Sequence, residues 1–109
     1  MNSRNKGARG ERECAKWLTE HGFNSRRGQQ FSGGKDSPDV VSELPFHIEV
    51  KRVEALRFDD ATDQAKRDAN GKPWVVLHRK NNGPWYAVLD GETFLDMVRE
   101  TMDADGGEA

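Results

Sequence analysis

The chain has 109 residues and a formal net charge of −2, with 34 % of its residues apolar and 33 % charged. That length is enough for one domain with one modest core. No apolar run approaches the ~20 residues of a membrane-spanning helix, and the first residues lack the apolar segment of a secretory signal, so we expect a cytoplasmic protein with no membrane partner. The single cysteine, Cys14, cannot form a disulfide within the chain, which suits a reducing compartment.

The hydrophobic pattern predicts eight elements in the order helix, three strands, helix, two strands, helix. In chain order they are a helix over 6–22, a strand within 23–31, a hairpin of 39–41 with 46–53, a helix over 58–70, strands at 74–78 and 85–89, and a helix over 91–102. Glycine and asparagine mark the helix ends, as at Gly22 and Asn70-Gly71. We expect one domain over 1–102, followed by an acidic, disordered tail over 103–109.

The stretch 36–51, DSPDVVSELPFHIEVK, contains the most informative residues. Side chains on a strand alternate between its two faces, so His47, Glu49 and Lys51 share one face. Asp39 begins the partner strand of a tight hairpin, and antiparallel pairing can bring it beside Glu49. The sequence therefore predicts that two carboxylates and one ammonium group lie close together.

Two carboxylates that lie this close repel each other unless a cation neutralises them. Carboxylate oxygens, completed by water and phosphate oxygens, are the ligands that Mg²⁺ prefers. A lysine beside such an ion can orient or deprotonate a water molecule, or stabilise charge on a phosphate. Asp39, Glu49 and Lys51 are thus suited to the hydrolysis of a phosphodiester.

Two helical residues lie on faces that point inward. Glu11 follows the apolar stripe of the first helix, where a carboxylate needs a partner, and either Arg26 or Arg27 or the metal site could supply it. Gln64 lies beside the alanine stripe of the second helix and either supports catalysis or forms a core hydrogen bond. His47 is interpreted as structural and not as a metal ligand.

The arrangement resembles the PD-(D/E)XK nuclease superfamily. Its signature is Pro38-Asp39, nine residues, then Glu49-Val50-Lys51. The helix KGARGERECAKWL and the loop FSGGKDSPDV resemble small Holliday junction resolvases of the archaeal type and their phage-encoded relatives, over about residues 4–98. The resemblance implies an α/β restriction-endonuclease-like fold with a mixed central sheet of about five strands flanked by helices.

The resemblance also implies a site and partners. Glu11, Asp39, Glu49 and Lys51 would form the active site, and the loop residue Ser32 would contribute. The cofactor would be Mg²⁺, with Mn²⁺ as a substitute, and the protein would act as a homodimer on branched DNA in a bacterial or phage-infected cell.

Basic residues are concentrated in the first third of the chain. Residues 1–35 hold eight Lys or Arg against three acids, whereas the remainder holds nine against sixteen. By default such residues form a solvated surface, but around a phosphodiesterase site they would contact DNA phosphates. The residues concerned are Arg4, Lys6, Arg9, Arg12, Arg26, Arg27, Lys35 and Arg52.

Two alternatives to a junction resolvase stay open at this point. One is a nuclease of the same fold that cuts flaps, single strands or specific duplex sequences. The other is a DNA-binding module with an inert site, because a fold does not guarantee an activity.

Overall fold

The computed structural model describes the backbone of residues 3–28 and 38–106, and the side chains of residues 7–28 and 38–104. Within these ranges the chain forms α1 Ser3–Glu20, β1 Ser25–Arg27, β2 Val40–Ser42, β3 His47–Lys51, α2 Phe58–Ala69, β4 Trp74–Arg79, β5 Trp85–Val88 and α3 Gly91–Gly106. The predicted element order and the α/β fold class are confirmed.

The strands form one sheet in the order β1-β2-β3-β4-β5. The β3–β4 pair is parallel and the other three pairs are antiparallel, so the sheet is mixed, as predicted. Helix α2 provides the crossover that a parallel pair of strands requires. Strand β3 therefore lies at the centre of the sheet, between the hairpin partner β2 and the parallel strand β4.

Each face of the sheet is covered by one helix. Ile48 and Val50 of β3 point towards α1, where they pack with Cys14 and Leu18. On the other face, α2 packs against Val76 and Trp74 through its alanines, Ala61, Ala65 and Ala69. Alanine side chains let a helix lie close to a sheet, and this closeness places α2 directly over the polar side of β3.

An ion-pair network ties α1 to the central strands. Arg52 Nε and Arg79 Nη1 both donate to Glu13 Oε1, at 2.8 and 2.9 Å. Gly10 lies where α1 approaches this end of β3, and a Cβ there would stand only 2.7 Å from Arg52 Cβ. These contacts fix the distance between α1 and the sheet, and α1 also lies against the β2–β3 hairpin.

The last helix is longer than the sequence indicates. Helix α3 continues to Gly106, four residues past the predicted end at 102, so the first part of the expected disordered tail is helical. Its apolar side chains Phe94, Leu95 and Met102 are 46–66 % exposed, so α3 buries little of its apolar face. Within the described ranges, no helix has the length and apolar character needed to cross a membrane.

Candidate active site

Asp39 is held at the mouth of the β2–β3 hairpin by its backbone and its side chain. Its N–H donates to the Ile48 carbonyl at 2.9 Å, next to the register pair Val40–Ile48. Its Oδ2 accepts the Val50 N–H at 2.8 Å. Its carbonyl accepts the Gly28 N–H at 2.8 Å, where a Cβ on residue 28 would collide with the backbone. The Asp39 carboxylate is thus fixed beside Glu49, as the hairpin pattern predicts.

Glu49 is a buried residue that carries a carboxyl group. Its side chain is 2 % exposed, and its Oε1 lies 2.8 Å from Nε2 of His47, which is 5 % exposed. Both residues lie on the face of β3 that α2 covers, because alternate residues of a strand point the same way. The alternating pattern predicts that His47 lies on this face, but a single histidine in such a pattern gives no sign that its partner is Glu49.

Burial raises the pKa of Glu49 well above its ordinary value of 4.5, and the negative charge of Asp39 and a hydrogen bond between the two side chains raise it further. The nearby carboxylate of Asp68, on α2, acts in the same direction, while Lys51 opposes it. The raised pKa of Glu49 therefore favours its protonated form when no cation is present, and that form can donate a hydrogen bond to Asp39. Sequence analysis did not identify Asp68.

Lys51 and Gln64 are in direct contact. Lys51 Nζ donates to Gln64 Oε1 at 3.0 Å, from the last residue of β3 to the middle of α2. Gln64 was predicted either to support catalysis or to satisfy a core hydrogen bond, and its partner is the lysine of the proposed site. The amide fixes the direction of a flexible ammonium group without adding charge.

Glu11 lies at the edge of this cluster. Its side chain is 12 % exposed and accepts a hydrogen bond from Arg27 Nε at 2.9 Å. Burial raises the pKa of Glu11, and the Asp39 charge adds to the rise, while Arg27 opposes it. The structure therefore shows the arginine pairing that sequence analysis left open, and it also places Glu11 within electrostatic range of Asp39.

The carboxylates fit a hard divalent cation that is completed by solvent or substrate. Among the described residues, no three His, Cys, Asp or Glu side chains converge closely enough to form a metal cage. Asp39 and Glu49 are two carboxyls in contact, and Mg²⁺ binds through one or two carboxylates plus waters and phosphate oxygens. A cation between them would replace the proton that Glu49 now holds.

The predicted DNA-contacting residues differ in their surroundings. Arg9, Arg12 and Arg26 are exposed, whereas Arg52 is half-buried and donates to Glu13 and Asn81. Arg27 is exposed but engaged by Glu11. Four further members of the predicted site fall beyond the described side chains: Arg4, Lys6, Ser32 and Lys35.

Comparison with known proteins identifies the family. The model of the archaeal Holliday junction resolvase (Hjc) family matches residues 2–90, which include every described residue of the site. No curated protein and no solved structure matches the chain significantly. Because the match covers most of the chain, the chain belongs to the archaeal Holliday junction resolvase family, a family of PD-(D/E)XK-type nucleases.

Proposed function

We propose that this chain is a Mg²⁺-dependent DNA endonuclease that hydrolyses phosphodiester bonds in four-way junctions. The observation that carries the proposal is the contact between the buried Glu49 carboxyl and the Asp39 carboxyl on the neighbouring strand end. Lys51 lies close enough to act on Glu49 electrostatically. Membership of a junction-resolvase family implies a nuclease that binds DNA. A carboxyl pair that can hold a metal ion, with a lysine nearby, is suited to the hydrolysis of a phosphodiester.

In this proposal Asp39 and Glu49 hold the ion, and Glu11 supports it directly or through water. When bound, Mg²⁺ or its substitute Mn²⁺ supplies positive charge that polarises the scissile phosphate and acidifies a water molecule. The chain itself provides two carboxyls that are held in place, Asp39 by the Val50 amide and Glu49 within a buried cluster. Because these groups are already in place, little reorganisation is needed when DNA arrives.

Lys51 acts on the reacting phosphate or on the water that attacks it. Its ammonium group carries three donors and a full positive charge, and one donor is occupied by Gln64. Among the described residues Gln64 is the hydrogen-bond partner of Lys51, and the other donors are proposed to hold a phosphate oxygen or the attacking water. Gln64 is a positioning residue, because it acts through Lys51.

A double-mutant cycle on Lys51 and Gln64 tests this division of roles. Gln64→Ala is expected to lower the single-turnover cleavage rate about tenfold, and Lys51→Ala about 10²-fold or more. In a Lys51→Ala background, Gln64→Ala should change the rate little, because the group that it positions is gone. Additive losses would show that Gln64 acts independently of the lysine.

The exposed arginines of α1 and β1 are proposed to contact DNA phosphates. Arg26 lies on β1, the strand that pairs with β2 just beyond Asp39. Arg9 and Arg12 are on the helix that carries Glu11. These arginines therefore lie on α1, which carries Glu11, and on β1, which pairs with β2 next to Asp39, and each is proposed to meet a phosphate of a bound DNA backbone.

Arg26→Ala should weaken junction binding and lower the slope of log affinity against log salt concentration by about 1, because one phosphate contact is lost. The matched control is Arg99→Ala, which removes an exposed arginine from the acidic helix α3. Binding isotherms at several salt concentrations give both slopes. Equal slopes for wild type and Arg26→Ala would exclude Arg26 from the DNA contact.

A homodimer is proposed because resolution of a four-way junction needs two symmetric nicks, and each chain carries one site. We expect light scattering of the protein–junction complex to show two chains per junction. A single chain bound to a junction that is nevertheless cut symmetrically would contradict the proposed dimer. A cytoplasmic site of action and the contribution of Ser32 stay predictions.

The substrate test compares a labelled four-way junction with a linear duplex and a flap of the same sequence, each with Mg²⁺ and with EDTA. Paired nicks in the junction alone, abolished by EDTA, are the expected result. Cutting of all three substrates would keep the active site and overturn the junction specificity. A folded protein that binds the junction but never cuts it would favour an inert binding module.

A further inference from the structure

His47 is a buried polar residue whose imidazole nitrogen is directed at a carboxyl of the proposed site. The residue is 7 % exposed, and its Nε2 lies 2.8 Å from Glu49 Oε1. A buried imidazole costs free energy unless its polar atoms are hydrogen-bonded. The contact with Glu49 offsets that cost, and it also restricts where the Glu49 carboxyl can point.

Glu49 is engaged from two sides. His47 holds Oε1, and the carboxyl is also hydrogen-bonded to the side chain of Asp39. Asp39 is in turn held by the Val50 amide, which belongs to the same strand as Glu49. The Asp39 carboxyl is therefore oriented by backbone contacts, whereas the Glu49 carboxyl is held by two side chains, His47 and Asp39.

We propose that His47 is a positioning residue for metal binding: its Nε2–H holds Glu49 Oε1 so that the carboxyl stays directed at Asp39 and the cation that both would bind. This inference rests on the proposed function, because it needs Asp39 and Glu49 to be metal ligands. It goes further by adding a residue that touches neither the cation nor the DNA.

The chemistry of the ligand fixes the direction of this hydrogen bond. A carboxylate that binds a cation is ionised and can only accept hydrogen bonds, so the proton must lie on Nε2 of His47. Such donors to a metal ligand orient it and tune its affinity, and their loss typically costs 10–100-fold in metal binding or activity. A packing role alone would not require the proton to be on Nε2.

Two variants separate the hydrogen bond from the shape of the side chain. The amide nitrogen of His47→Gln reaches about the position of Nε2, whereas that of His47→Asn reaches only the position of Nδ1. We expect His47→Gln to bind Mn²⁺ within a few-fold of wild type and His47→Asn to bind it about 10–100-fold more weakly. Mn²⁺ affinity is read without DNA from the electron paramagnetic resonance signal of free Mn²⁺, and circular dichroism in EDTA confirms the fold.

Wild-type affinity in folded His47→Asn would overturn the proposal, as would equal losses in both variants. A second measurement needs no substitution: the ¹⁵N spectrum of the wild-type imidazole with saturating Mg²⁺ should show the proton on Nε2, and a proton on Nδ1 alone would overturn the proposal even if His47→Asn failed to fold. The failure of this inference can be told apart from the failure of the proposed function. If wild type bound no Mn²⁺ and cut no junction, the proposed function would fail and the inference with it. If wild type bound Mn²⁺ and only the His47 predictions failed, the function would stand without this residue.

Discussion

Glu49→Gln is expected to lower the rate of metal-dependent cleavage about 10³-fold and at the same time to stabilise the metal-free protein at pH 8. The substitution removes one of the two carboxylates proposed to hold the ion. Losing several kcal/mol of charge stabilisation at the phosphate lowers the rate by about 10³-fold.

The gain in stability follows from the surroundings of Glu49. The side chain is 2 % exposed, and burial and the Asp39 charge both disfavour its ionised form. Glutamine has the same shape, can accept from His47 and donate to Asp39, and carries no charge. It therefore retains the hydrogen bonds, and at pH 8 the folded protein no longer has to retain a proton that the unfolded chain has released.

Single-turnover cleavage and urea unfolding of the same preparations measure both effects. Glu100→Gln, at an exposed position of α3, is the control and should change neither quantity. A Glu49→Gln protein that lost both activity and stability would indicate that Glu49 is a structural ionic residue and not a strained metal ligand.

The second large effect is a decline in the stability of the metal-free protein as the pH rises. Because the pKa of Glu49 is raised in the folded state, the unfolded chain releases this proton at lower pH than the folded chain does. Below about pH 4 both states hold the proton and its contribution to stability is fully present. At a pH above the ordinary pKa of 4.5, the unfolded chain has released this proton whereas the folded chain still holds it. The free energy of unfolding therefore falls as the pH rises.

The slope can reach about 1.4 kcal/mol per pH unit, the free energy that corresponds to one unit of pKa. Between pH 5 and pH 8 the loss should be on the order of 2–4 kcal/mol, which is large beside the total stability of a small domain. Urea unfolding in EDTA at pH 5, 6, 7 and 8 measures it, and the difference between wild type and Glu49→Gln isolates this carboxyl from Glu11. If the free energy of unfolding had the same pH dependence in both proteins, Glu49 would be ionised in the folded protein.

Added Mg²⁺ should reverse the decline. A ligand that binds only the folded protein stabilises it in proportion to the logarithm of its concentration above the dissociation constant. The ion competes with the proton on Glu49, so its stabilising effect should increase with pH over the same interval. A metal effect that was independent of pH would place the ion away from this carboxyl pair.

Much of the candidate site could be predicted from the periodicity of strands and helices in the sequence. A period of two put His47, Glu49 and Lys51 on one face of a strand, and the short hairpin brought Asp39 opposite Glu49. The alanine stripe of α2 indicated close packing on the sheet, which places Gln64 within reach of Lys51. These features follow from local geometry, which the sequence specifies well.

The partners of individual side chains could not be predicted in the same way. Glu11 was expected to face inward, but which cation would meet it depended on the position of Arg27 across the α1–β1 contact. Asp68 joins the site because α2 lies over β3, and His47 joins it because its imidazole turns towards Glu49 on the same strand. The end of α3 was missed by four residues, because helix ends depend on local hydrogen bonds that apolar periodicity does not encode.

The position of Mn²⁺ in crystals of the protein, located by anomalous scattering, tests the metal site most directly. We expect a peak between the carboxyls of Asp39 and Glu49, at the roughly 2.0–2.3 Å of metal–oxygen bonds, with Glu49 no longer hydrogen-bonded to Asp39. An ion bound elsewhere, or an Asp39–Glu49 hydrogen bond that persists at saturating Mn²⁺, would contradict the assignment of this pair as the metal site.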